Sequence, residues 1–97
     1  THMSEDDQKA NYAEVEGKLD LGERGGAANT TVELVDDEGR VVQSVKSTRG
    51  GNWRFKNVDK GKYKVRVRKK GYKAREAEVQ AAPKAPAASV DFDMEEE

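Results

Sequence analysis

The chain has 97 residues, of which 34% are hydrophobic and 38% are charged, with no cysteine and a formal net charge of −1. This length suits one domain, and the fold must rest on its core alone because no disulfide can form. No apolar run approaches the roughly 20 residues that a transmembrane helix needs, so no membrane insertion is predicted.

The charges are segregated along the chain. Residues 1–38 hold eleven acids against three bases, whereas residues 50–75 hold eleven bases against one acid. Residues 91–97 add five acids and no base. Residues 1–11, which open with Thr1-His2-Met3, are interpreted as a cloning remnant and a disordered acidic tail, because they are polar and lack periodicity.

Apolar and polar residues alternate in seven short segments, which predicts β-strands because successive side chains on a strand point to opposite faces. The predicted strands cover residues 13–21, 31–35, 40–47, 53–56, 62–68, 72–80 and 90–94. No window shows a helical period. The chain is therefore predicted to be an all-β, seven-stranded antiparallel Greek-key β-sandwich spanning residues 12–94.

The segments between the strands read as turns. Residues 36–39 end in glycine and predict a hairpin, and residues 57–61 form a polar turn. The sixth strand changes phase between Tyr72 and Val79, which a bulge near residues 75–76 would explain. Residues 81–88 are a Pro/Ala linker, and residues 95–97 are an acidic tail that is expected to fray.

No catalytic site can be assembled from these residues. The single histidine, His2, lies in the predicted cloning remnant, so no Ser-His-Asp, Cys-His or zinc arrangement is possible. The acids Asp36, Asp37 and Glu38 could bind calcium through hard oxygen ligands, but a solvated hairpin turn explains them more simply. We predict no enzyme, no cofactor and no metal site.

A basic stripe is the most unusual feature of the sequence. Lysines and arginines alternate along the fifth strand, and those of the fourth strand are expected beside them. The candidate binding residues are Arg54, Lys56, Lys62, Lys64, Arg66, Arg68, Lys70 and Lys73. The stripe could attract a polyanion. Alternatively it is a solvated sheet face paired with acids of neighbouring strands, for which Glu14, Glu16, Asp20, Asp91 and Asp93 are available.

The order of the apolar motifs resembles a known family. Gly51-Asn52-Trp53-Arg54-Phe55 is followed by Val58, then by residues 61–67 (GKYKVRV) and by Gly71-Tyr72. This succession is similar to that of the carboxypeptidase regulatory-like domain, a prealbumin-like (transthyretin-like) β-sandwich. The resemblance covers roughly residues 13–80, and residues 87–94 can supply the closing strand.

The resemblance implies an accessory role. We expect a non-catalytic structural or protein-interaction module, a spacer or docking domain, in a larger bacterial surface or secreted protein. Its partners would be other protein domains in the same chain or a complex, and its location the cell envelope or exterior. The alternative is polyanion or glycan binding through the basic strand face.

The related collagen-adhesin B-type domains suggest one further possibility, an internal isopeptide bond between Lys18 and Asp91 or Asp93. That bond needs a buried carboxyl group to shuttle protons. The matching part of the fifth strand offers Val65 and Val67 inward instead, and Lys18 falls on the outward parity of its strand. We therefore do not expect the bond.

Overall fold

The computed structural model describes residues 12–97, so the predicted tail at residues 1–11 lies outside the described residues. The described chain forms seven strands and one short 3-10 helix, Gly22–Arg24. The strands are β1 (Ala13–Asp20), β2 (Thr31–Asp36), β3 (Val41–Lys46), β4 (Asn52–Val58), β5 (Gly61–Val67), β6 (Arg75–Ala81) and β7 (Ala88–Asp93). The predicted all-β, seven-stranded sandwich is confirmed.

The strands form two sheets that pack face to face. One sheet has three strands in the order β4-β1-β7, and the other has four in the order β3-β2-β5-β6. Neighbouring strands are antiparallel except β1 and β7, which run parallel from Val15 opposite Ala88 to Asp20 opposite Asp93. The first and last strands of the domain are therefore neighbours that point the same way.

The alternating residues of both sheets meet in one core. Val15 and Leu19 of β1, Phe55 of β4, and Val65 and Val67 of β5 are all completely buried. Each such side chain contributes about 1.5–3 kcal/mol through its burial. The inward faces predicted from the sequence thus meet between the sheets.

Gly17 makes room for the one tryptophan. It lies opposite Trp53 on β4 and Val90 on β7. A Cβ atom at Gly17 would come within 2.5 Å of Trp53 Cζ2 and 1.7 Å of the Val90 carbonyl oxygen. The indole, only 4% exposed, therefore occupies space that any side chain at position 17 would need.

All seven strands differ from their predicted limits by one to three residues, and the differences in β4 and β6 change the interpretation. β4 continues to Val58, which is buried, so this residue closes a strand and does not belong to the polar turn. β6 begins only at Arg75, and its ladder with β5 is regular from Val67 opposite Arg75 to Gly61 opposite Ala81. The predicted bulge near residues 75–76 is wrong. The phase changes because Tyr72 lies before the strand, where it forms a separate bridge.

The acidic C-terminus does not fray in the structure. The N–H of Lys73 donates to the carbonyl of Glu95, and the N–H of Glu97 donates to the carbonyl of Gly71. Tyr72 and Glu96 form the bridge between these bonds. Residues 94–97, here called the C-terminal strap, therefore cross from β7 to the loop before β6 and connect the two sheets.

The strand directions define two poles. The N-terminal pole contains the start of β1, the turns at residues 37–40 and 59–60, and the loop at residues 82–87, because Ala13 pairs with Val58 and Gly61 pairs with Ala81. The C-terminal pole contains the loops at residues 21–30, 47–51 and 68–74 and the C-terminal strap.

No helix in residues 12–97 is long and apolar enough to cross a membrane.

Candidate interaction surface

The cations of the predicted stripe lie on opposite faces of the sandwich. Arg54 and Lys56 belong to β4 in the three-stranded sheet, whereas Lys62, Lys64 and Arg66 belong to β5 in the four-stranded sheet. The expectation that β4 neighbours β5 is wrong, because β4 pairs with β1 and the chain passes to the other sheet after Val58. Alternation reveals which side of a strand is buried, but not which strand lies beside it.

The cations of β5 lie among glutamates on the outer face of the four-stranded sheet. Arg66 Nε donates to Glu33 Oε1 of β2 at 3.0 Å, and both side chains are 29% exposed. Lys64 Nζ lies 3.6 Å from Glu76 Oε1 of β6. We call this the β5 face; its outward side chains are Glu33, Val35, Lys62, Lys64, Arg66, Glu76, Glu78 and Gln80.

The β5 face is thus a mixed-charge surface. The acids that pair with its cations are Glu33 and Glu76, on the strands flanking β5. The sequence analysis proposed acids of the first and last strands as partners instead. Of these, only Glu16 contacts a predicted site cation: its Oε1 lies 3.7 Å from a guanidinium nitrogen of Arg54, on the outer face of the three-stranded sheet. Binding of a polyanion to Lys64 or Arg66 would have to compete with these glutamates.

A shallow groove of about 530 Å³ crosses the β5 face near the N-terminal pole. Val35 lines it together with Asp37 and Gly39 of the hairpin turn, while Lys64 and Glu78 lie on the sheet side. Val35 is 5% exposed although it faces away from the main core. Because successive side chains of a strand point to opposite faces, the consecutive apolar residues Leu34 and Val35 indicate that β2 has apolar side chains on both faces.

The hairpin turn beside the groove is held by Asp36. Its Oδ1 accepts hydrogen bonds from the N–H groups of Glu38 and Arg40, each at 2.9 Å. The bond from Arg40, assisted by its guanidinium 3.5 Å from the carboxylate, lowers the pKa of Asp36 below its usual value.

Tyr63 is surrounded by the acids of the same pole. Its hydroxyl donates to the carbonyl of Asp59 at 2.8 Å. Burial, followed by the negative charges of Asp59, Asp36 and Asp37, raises the pKa of Tyr63 above its usual value.

The remaining candidate cations lie at the C-terminal pole. Arg68 and Lys70 are exposed in the loop after β5, and Lys73 lies 3.4 Å from Glu95 of the C-terminal strap. Within residues 12–97, no ion pair involves Lys56, Lys62, Arg68 or Lys70. The unpaired cations are therefore distributed around the domain and are not gathered in one stripe.

Lys18 and Asp91 are neighbours, but on the outer face of the three-stranded sheet. The backbone N–H of Lys18 donates to Asp91 Oδ1 at 3.0 Å, and both residues are exposed. Solvated side chains lack the buried environment that isopeptide formation needs. The indole of Trp53, which could otherwise serve as a carbohydrate platform, is buried in the core.

Two sheets that pack face to face over one core, with a solvated mixed-charge face outside, make this chain a β-sandwich domain. Residues 15–95 match the family model of the carboxypeptidase regulatory-like domain. The chain belongs to this family, as its motifs indicated.

Curated relatives come from Staphylococcus aureus. Over 50 residues the chain is 42% identical to serine-aspartate repeat-containing protein E of strain MSSA476 and to a bone sialoprotein-binding protein, and the match covers 52% of the chain. Serine-aspartate repeat-containing protein D of strain MW2 is 40% identical over the same length. The match spans only 4% of the length of each relative.

Solved structures share the fold at low sequence identity. The Bacillus anthracis TIE protein superposes with a TM-score of 0.74 at 16% identity, over 87% of this chain and 17% of that one. BcpA, the major pilin subunit of Bacillus cereus, gives 0.70 at 18% identity over 88% and 29%. GBS52, the minor pilin of Streptococcus agalactiae, gives 0.64 at 14% identity over 89% and 46%.

Proposed function

We propose that this domain is a non-catalytic, force-resisting spacer in a larger bacterial surface or secreted protein. The observation that supports it best is the parallel pairing of β1 with β7. Because the two terminal strands point the same way, the chain enters at the N-terminal pole and leaves at the C-terminal pole. Copies or neighbours joined end to end would therefore extend the parent chain and not fold back on it.

The same pairing suits a domain under tension. A pull on the two ends would slide β1 and β7 past each other and stress all six of their residue pairs together, from Val15 opposite Ala88 to Asp20 opposite Asp93. Both strands also contribute core side chains, among them Leu19 and Phe92. Resistance to force depends on the unfolding rate, which such simultaneous loading keeps low.

The relatives agree with this role. Two of the similar solved structures are pilin subunits, and in all three cases this fold forms part of a longer chain. A location outside the cell and partners among the other domains of the parent chain follow as parts of the proposal. We propose no catalytic role, because Trp53 and Phe55 are buried in the core and Lys64 and Arg66 are paired with glutamates.

Small-angle X-ray scattering of tandem chains tests the spacer role. We would compare chains that contain one, two, three and four copies joined end to end. Their maximum dimension should grow by a constant increment per copy, at least the roughly 26 Å length of an eight-residue strand. A matched control is a circular permutant in which a flexible linker long enough to span the domain joins the native ends. Opening this permutant in the exposed turn at Glu38 places both new ends at the N-terminal pole. The spacer role is excluded if the native tandem is as compact as the permuted one.

Polyanion binding is the second candidate, supported by the unpaired cations Lys62, Arg68 and Lys70. A titration with an anionic oligomer at near-physiological salt should then shift amide resonances of residues 62–75. The triple change Lys62→Glu, Arg68→Glu and Lys70→Glu should abolish these shifts, whereas Lys56→Glu, which alters an unpaired cation in the other sheet, should preserve them. A flat titration would reject this candidate without affecting the spacer role.

A further inference from the structure

Edge strand β3 lacks the charges that usually protect a free sheet edge from pairing. The other three edge strands carry them: Arg54 and Lys56 on β4, Glu76 and Glu78 on β6, and Asp91 and Asp93 on β7. β3 reads VVQSVK and has no charge before its last residue, Lys46. Three β-branched residues in six give it a high strand propensity.

β3 also exposes apolar surface. Val41 is 46% and Val42 is 48% exposed, and with Tyr12 they are the large hydrophobic side chains that the described residues leave in solvent. Gln43 Nε2 donates to the carbonyl of Lys56 at 2.8 Å, so β3 supplies a cap for the adjacent edge of β4. Within residues 12–97, β3 itself pairs only with β2.

A bulge affects only the beginning of this edge. Between Leu34 and Val35 the register shifts, so that Val42 is an extra residue relative to β2. The remainder pairs regularly, from Gln43 opposite Leu34 to Lys46 opposite Thr31. An extended edge of four residues, preceded by two exposed valines, is therefore available to another strand.

We propose that β3 pairs antiparallel with β3 of a second copy, across a two-fold axis at Ser44. Ser44 then lies opposite itself, and Val42 of each copy lies opposite Lys46 of the other, whose methylene chain can cover it. The two Lys46 charges are separated by four residues of strand, about 14 Å, which exceeds the Debye length of about 8 Å at physiological salt. The two Lys46 side chains therefore do not oppose this pairing.

The antiparallel orientation of the two β3 strands also determines how two parent chains would meet. This step rests on the proposed function, whereas the pairing itself does not. Antiparallel β3 strands place the N-terminal pole of one copy beside the C-terminal pole of the other. Two parent chains joined in this way would approach each other from opposite directions. The partner would then be the same protein anchored on a facing surface.

Sedimentation equilibrium over a range of concentrations tests the pairing. We expect a reversible dimer whose dissociation constant rises at least about tenfold in Val42→Lys, because a lysine at this position protects the edge. Gln80→Lys makes the same charge change at an exposed position of edge strand β6 and should leave the dimer intact. A wild-type chain that remains monomeric up to about 1 mM, or a dimer indifferent to Val42→Lys, would overturn the proposal.

Disulfide trapping tests the register independently. The chain has no cysteine, so Ser44→Cys introduces a single thiol that should lie within bonding distance of its symmetry mate. Under mild oxidation this variant should form covalent dimers much faster than the control Gln80→Cys. Equal rates for the two variants would contradict pairing through β3.

Discussion

At the scale of single residues, the tightest constraint is the contact between Gly17 and Trp53. Truncating the buried indole in Trp53→Ala should lower the free energy of unfolding by about 3–5 kcal/mol. Gly17→Val should also destabilise the domain, because its side chain would collide with the indole and with the Val90 carbonyl. Urea unfolding measures both changes, with the exposed Gln80→Ala as a control that should remain within about 0.5 kcal/mol of wild type. A Gly17→Val domain of wild-type stability would refute the contact.

Asp36 is expected to make the domain sensitive to acid. Its pKa is lowered in the folded state below the usual value of an aspartate, so its stabilisation is present above that usual value and is lost as the pH falls through the folded pKa. Thermal melts between pH 7 and pH 2 should therefore show a smaller acid-induced loss in Asp36→Asn than in wild type. The exposed neighbour Asp37→Asn serves as the control, and identical profiles for all three proteins would disprove the role.

At the scale of elements, the C-terminal strap is the part whose importance is least visible in the sequence. Ending the chain at Met94 removes the backbone bonds at Gly71 and Lys73 and the ion pairs Arg24–Glu96 and Lys73–Glu95. Each backbone bond contributes about 0.5–1.5 kcal/mol and each exposed ion pair about 0–1 kcal/mol.

We expect the truncated domain to lose about 1–5 kcal/mol, mostly from the two backbone bonds, and the Lys73 amide to exchange with solvent much faster. Arg24→Ala removes only the ion pair with Glu96 and leaves the backbone bonds of the strap in place, so it should leave the Lys73 amide protected. Unchanged exchange at Lys73 after truncation would show that the strap does not hold this loop.

The strands could be predicted from the sequence, but their arrangement could not. Alternation located Val15, Phe55 and Val65 on inward faces, because burial on one face imposes a period of two. The same pattern contains no signal for strand neighbours. It therefore gave no indication that β7 is parallel to β1, or that Arg54 and Lys64 lie on opposite faces of the sandwich.

The candidate surface was predicted only in part, for the same reason. The cations of β5 were correctly assigned to one face, but their partners Glu33 and Glu76 depend on which strands flank β5. The C-terminal strap was missed because a run of glutamates is typical of a solvated tail. Its contacts are made by the backbone, which side-chain patterns do not report.

At the scale of the whole molecule, the domain combines termini at opposite poles with terminal strands that share a ladder. In the proposed role, a pull on the two ends would pass through the packed three-stranded sheet, where β1 is the central strand. The four-stranded sheet lies beside this path and can present its β5 face and its β3 edge to partners. The two sheets would thus have different roles, one in transmitting force and the other in contact.

Single-molecule pulling in two directions tests the force-resisting role most directly. The chain has no cysteine, so Tyr12→Cys with Glu97→Cys loads β1 and β7 in opposite directions along their ladder. Tyr12→Cys with Ala85→Cys separates the same two strands from the N-terminal pole, one residue pair at a time. We expect the first geometry to need a markedly higher force at the same loading rate. Equal forces in the two geometries would contradict the proposal that the β1–β7 pairing resists tension.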